Sequence, residues 1–78
     1  MVLNKGGEKM KFISFGNVCL NFRAKHNLTQ IRLSEILGIS HNMVGRYEAE
    51  LNKPTKARRI RFENKMKEWE ENKNVSLQ

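Results

Sequence analysis

Apolar residues fall along this chain in four groups, each with helical spacing. Phe15, Val18, Cys19 and Phe22 recur at i, i+3, i+4 and i+7, one stripe of a helix. Ser14 is placed to cap that helix and Ile13 to staple onto Val18. Asn27 tolerates a left-handed backbone and is placed to end it, so the spacing predicts a helix over roughly 14–26. Thr29 caps a second group, Leu33, Ile36 and Leu37, which Gly38 terminates. Ser40 caps a third, with Met43, Val44 and Tyr47 toward the interior. The stretch "AELNKP" breaks the pattern, because Pro54 disfavours helix at Lys53. From Thr55 to about Asn72 there is neither Gly nor Pro, and Arg59/Glu63 and Glu63/Lys67 sit at i, i+4. Only the short "KFISF" competes as a strand, so the class expected is all-α. Residues 1–12, with a Gly pair and little apolar pattern, read as a flexible N-terminal arm. Residues 13–72 read as one folded domain and 73–78 as a frayed tail.

The last helix carries two apolar stripes. At 100° per residue Phe62, Met66 and Trp69 share one face, and Ala57 and Ile60 lie roughly opposite. One stripe can pack on the domain's own core. The other either meets the preceding loop near Leu51 or serves as a dimer or partner face, which makes Ile60, Phe62, Met66 and Trp69 candidates for association.

Charge changes the picture. The 78 residues carry 15 Lys and Arg against 8 Asp and Glu, a net +7, and the pI is near 10.0. Such a balance favours a polyanion, nucleic acid before an anionic membrane surface. The excess is concentrated: Lys53, Lys56, Arg58, Arg59, Arg61, Lys65 and Lys67 face only Glu63 in one stretch. A run of this kind is often no more than a solvated helix face. The single cysteine, Cys19, excludes an internal disulfide and a multi-cysteine zinc site, and reads as a small core residue. No apolar run is long enough to span a membrane and no signal-peptide layout is present, so the expected compartment is the cytosol.

The corner between the second and third helices has a specific spacing. Counting from Gln30, Leu33 is fourth, Ser34 fifth, Leu37 eighth, Gly38 ninth, Ile39 tenth, Val44 fifteenth and Tyr47 eighteenth. The fourth, eighth, tenth, fifteenth and eighteenth positions are those buried between two crossed helices. The fifth must be small where the second helix passes over it. The ninth requires a left-handed backbone, which glycine adopts without penalty. This is helix-turn-helix geometry, in which the second helix enters the major groove.

The stretch "FRAKHNLTQIRLSEILGISHNMVGRYEAELNKP" resembles the helix-turn-helix domain of the phage repressor/Cro (XRE) family, with "LTQ", "LGIS" and "RYE" followed by Pro as its markers. The resemblance covers about residues 15 to 60. It implies a lambda-repressor-like bundle of four to five helices with a long C-terminal helix, and a buried structural pair between Arg23 and Glu48. It implies base reading in double-stranded DNA by His41, Asn42, Gly45 and Arg46 on a recognition helix over 40–49. It implies phosphate contacts from Gln30, Ser40, Lys53, Lys56 and Arg58. Arg32, although a departure from the family, adds positive charge at the same phosphate side. The chemistry fits, since Arg forks onto guanine and Asn pairs with adenine. Gly45 weakens a helix by about 1 kcal/mol, tolerable where the helix must come close to DNA. Three departures stand out. Glu50 occupies the place where the family usually has a terminating Gly. "TKARRIRFENKMKEWEEN" has no breaker between the family's last two helices. Arg32 stands where a capping acid is common.

The function expected is a sequence-specific DNA-binding transcriptional regulator, a repressor of phage or mobile-element type, homodimeric at least on DNA. It would be nucleoid-associated in a bacterial or phage-infected cell. No cofactor, metal, membrane or small-molecule ligand is expected. The alternative is a protein-binding module of the same fold (an antitoxin, antirepressor or adaptor) using the Phe62/Met66/Trp69 face. An enzyme is not expected: there is no clustered acid–base pair, no nucleophile beside a histidine and no phosphate-cradling Gly loop.

Overall fold

The computed structural model describes residues 13–76; the arm expected over 1–12 lies outside them. Four helices follow in order, α1 Phe15–His26, α2 Gln30–Leu37, α3 His41–Glu48 and α4 Lys56–Ser76, and the described residues contain no strand. The all-α bundle with a long last helix is what the apolar spacing and the resemblance anticipated.

The first three starts are capped as the sequence suggests, and the fourth has a cap of the same kind. The Ser14, Thr29 and Ser40 hydroxyl oxygens accept from the backbone N–H groups of Asn17, Arg32 and Met43. Thr55 accepts from Arg58 N–H at 3.2 Å at the head of α4. Each such bond satisfies an amide that the helix itself cannot pair.

The ends of the first three helices share one device with three different residues. Asn27, Gly38 and Glu50 all have left-handed backbones, at φ 56°, 75° and 65°. The N–H groups of Leu28, Ile39 and Leu51 then reach back to the carbonyls of Arg23, Ser34 and Arg46, at 2.9, 3.0 and 2.9 Å. These are the back-bonds of a Schellman-type terminus. Glu50 therefore does the work of the missing glycine. A left-handed non-glycine residue costs about 1–2 kcal/mol. Its carboxylate offsets part of that by accepting from Ser14 Oγ at 2.6 Å, tying the end of α3 to the cap of α1.

The core comprises Phe15, Cys19 and Phe22 from α1, Leu33 and Leu37 from α2, Val44 and Tyr47 from α3, and Phe62 and Met66 from α4. Phe15 stands edge-on to Tyr47 with centroids 5.2 Å apart, and lies 5.5 Å from Phe62. Gly16 permits this packing: a Cβ there would overlap the Tyr47 carbonyl, so α1 and α3 cross with backbone against backbone. Burial pushes the Cys19 thiol up to about 12, with the Glu48 carboxylate adding to the effect, which fits a protonated thiol packed in the core.

The two stripes of α4 separate cleanly. Phe62 and Met66 are 7% and 5% exposed, within this chain's own core. The expectation of a partner face on these two residues is therefore corrected: their surface is spent on α1, α2 and α3. Trp69, half-buried, packs against Phe22 and His26 with centroids 5.7 and 5.0 Å away. Glu70 beside it meets His26 Nε2 at 2.7 Å and Lys25 Nζ at 3.1 Å, which hold its carboxyl below the usual range. Ile60, by contrast, stays 53% exposed, and Leu51 does not cover itself either, at 67%. α4 is a single helix and runs past the expected end at Asn72, through a stretch placed in the frayed tail.

Candidate nucleic-acid interface

The corner positions fold as their spacing requires. Leu33, Leu37, Val44 and Tyr47 are buried, Ile39 is partly so, and Ser34 is covered, its hydroxyl donating to the Ile31 carbonyl at 2.6 Å. Gly38 needs its left-handed φ rather than extra room, since an added Cβ would meet only the tip of Lys65, at 3.7 Å.

Below the corner, a charged network fixes α3 from behind. Arg23 Nε and Nη2 donate to the two oxygens of Glu48, both at 2.8 Å, a bidentate fork. Arg23 Nη1 also donates to the Leu28 carbonyl at 3.2 Å, so one guanidinium ties α1 to α3 and to the α1–α2 loop. Gln30 Nε2 adds a third donor to Glu48, at 2.9 Å. Burial by itself would raise the Glu48 pKa. The hydrogen bonds from Arg23 and Gln30, with the Arg23 charge, outweigh it and hold the carboxyl below the ordinary glutamate range. Its hydrogen bonds to Glu48, with that carboxylate's charge, raise Arg23 above its ordinary value.

Gln30 is not displayed as a free phosphate donor. It is half-buried and spends one of its amide hydrogens on Glu48. It also lies over Gly45, where an added Cβ would meet its amide atoms at 3.6, 3.7 and 3.9 Å, ordinary contact distances. Nothing inside the folded chain therefore forbids a side chain at position 45.

On the outer side, His41 and Asn42 are exposed and their side chains make no hydrogen bond or ion pair with any described residue. Arg46 lies one turn beyond, exposed, with its Nε donating to Asn52 Oδ1 at 3.0 Å. Ser40 contributes its hydroxyl to the α3 cap. Arg32 is paired with Glu35 at 3.1 Å. Lys53, Lys56 and Arg58 are exposed on the loop and the first turn of α4, with no acidic partner among the described residues. Arg59, in the middle of the same basic run, is bound into the fold instead: Nη2 donates to the Ile13 carbonyl and Nε to Glu63, both at 2.8 Å.

Three participants escaped sequence reasoning. Gln30 as third member of the Arg23–Glu48 network, Glu50 as the bridge to Ser14, and Asn52 beside Arg46 all depend on contacts across the fold. The bare Gly45 facing Gln30 was a signal for the first. A glutamate at the family's glycine position was a signal for the second.

A bundle that locks one short helix from behind, and leaves its outer face polar and cationic, is a helix-turn-helix DNA-binding domain. Residues 21–65, more than half of the chain, match the helix-turn-helix family model of XRE type, and the chain belongs to that family of DNA-binding regulators. Comparisons with curated proteins and with solved structures returned no match. Among the described residues there is no group of three or more potential metal ligands, and no helix long and apolar enough to cross a membrane.

Proposed function

We propose that this protein is a sequence-specific transcriptional regulator, a repressor of phage or mobile-element type, that lays α3 in the major groove of its operator. One observation carries the reading. The inner face of α3 is fully engaged by Val44, Tyr47 and Glu48, while His41, Asn42 and Arg46 point to solvent beside Lys53, Lys56 and Arg58, cations with no acidic partner among the described residues. Arg46 supplies a fork for guanine and Asn42 an amide for adenine, and His41 donates to a base acceptor or a phosphate. The cations, with any free hydrogen of Gln30 and the Ser40 cap, position the domain on phosphates and make binding salt-dependent. Gly45 lets the helix come close to the base edges.

A single domain of this size touches few bases, so we place two copies on a two-fold operator. With Phe62 and Met66 buried, the apolar surface left for association among the described side chains of α4 is Ile60 and Ala57, with part of Trp69. Selection of bound duplexes from a random pool tests both points. An enriched motif with two-fold symmetry supports the reading; a pool that stays random ends it. If Ile60→Asp left the mass of the protein–DNA complex unchanged, Ile60 would not be the contact between copies.

A further inference from the structure

Asn52 lies in the loop between α3 and α4, half-buried, and both ends of its carboxamide are used. The oxygen Oδ1 accepts from Arg46 Nε at 3.0 Å, and Nδ2 approaches Met43 Sδ at 3.8 Å. Met43 and Arg46 are one turn apart on α3, so Asn52 spans that turn. Its own position is set by the helix terminus. Glu50 turns the chain back with its left-handed backbone, and the N–H groups of Leu51 and Asn52 both point at the Arg46 carbonyl, at 2.9 and 3.4 Å. The backbone of Asn52 is thus tethered to the residue that its side chain orients.

We propose that Asn52 is a positioning residue that makes Arg46 a guanine reader. The inference rests on the reading of α3 as the recognition helix. A guanidinium can present two edges, Nε with one Nη, or the two Nη groups side by side. Asn52 occupies Nε, which leaves the Nη edge, two parallel donors. Guanine offers two acceptors, O6 and N7, to that edge; adenine offers one acceptor and one donor, and meets it badly. In water an exposed bond of this kind contributes little to folding. Its value comes on docking, when the duplex excludes water and the bond strengthens, and when a side chain already ordered loses less freedom.

The test uses the full chain in duplex selection followed by competition binding. Arg46→Ala identifies the base pair that Arg46 reads, as the one at which preference for guanine disappears. Asn52→Ala is expected to lower preference at that same base pair about 5-fold or more, with affinity for unrelated duplex changed by less than about 2-fold. The double variant is expected to be no less selective than Arg46→Ala alone. Asn52→Asp keeps an oxygen for Nε, so it should hold the guanine preference while weakening binding to every sequence through its added charge. It decides the matter even if Asn52→Ala fails to fold. A uniform loss across sequences with Asn52→Ala, or losses that add to those of Arg46→Ala, would mean that Asn52 touches DNA itself and would overturn the proposal. Loss of the guanine preference in a folded Asn52→Asp would do the same. A wild-type chain that enriches no motif would instead overturn the recognition reading, and this assignment with it.

Discussion

The two faces of α3 are built on opposite principles, although they are made from the same eight residues. On the inner face Val44 is fully buried, Tyr47 is packed on two phenylalanine rings, and Glu48 receives three donors. On the outer face the His41 and Asn42 side chains are bonded to nothing described, and Arg46 has one partner, the half-buried Asn52, through an exposed bond. The first face holds the helix still; the second is left unsatisfied where a partner can satisfy it. The difference teaches that rigidity and recognition are separable here, residue by residue. Mutations should therefore divide into those that unfold the domain and those that alter only binding.

The largest break should come from the inner face. Tyr47→Ala removes a ring from the aromatic cluster and should cost about 3–5 kcal/mol by chemical denaturation, enough to unfold much of a small domain. Glu48→Ala leaves Arg23 facing an empty site and should cost about 3 kcal/mol. Acid reports on the same group. Glu48 titrates lower in the folded chain than in the unfolded one, so its contribution is present above the unfolded value, about 4.3. It is lost as pH falls through the folded value. Glu48→Gln should flatten that acid limb in a stability-against-pH series; an unchanged limb would mean that other carboxylates dominate it.

The outer face should behave differently. Arg46→Ala should leave the melting curve nearly in place, yet relax preference at one base pair by about 1–3 kcal/mol. Arg58→Ala, by comparison, should weaken all sequences alike and reduce the salt slope by about 1. Equal effects of the two on specific and random duplexes would erase the distinction between reading and positioning. The sharpest case is the smallest. Gly45→Ala introduces a Cβ that only touches Gln30, so it should stabilise the folded domain by about 0.5–1 kcal/mol. If the glycine serves close approach to DNA, the more stable variant should bind its operator less tightly. A variant both more stable and equally tight would make Gly45 a neutral surface residue.

Much of this was legible from local pattern. Helix starts could be read from Ser14, Thr29 and Ser40 because a cap bonds an amide only three residues away. The corner could be read because each of its positions has one steric requirement, and Gly38 and Leu33 meet theirs without reference to the rest of the chain. Harder to read was which stripe of α4 turns inward, since Phe62/Met66 and Ala57/Ile60 are both apolar and periodicity does not say where the neighbouring helices lie. The basic run was equally ambiguous: Arg58 is exposed and Arg59 is bound to Ile13 and Glu63, though they are adjacent in sequence.

By itself, then, the amino-acid sequence determined four helices, their caps, the corner and the family, because each rests on interactions within a few residues or on a fixed spacing. Tertiary structure alone decided that Glu50 could replace a glycine, since Ser14 on another helix accepts the cost with it. It alone decided that Gln30 joins the Arg23–Glu48 fork and that Asn52 meets Arg46. Hydrogen bonds between side chains distant in sequence have no period, and they exist only once the helices have crossed.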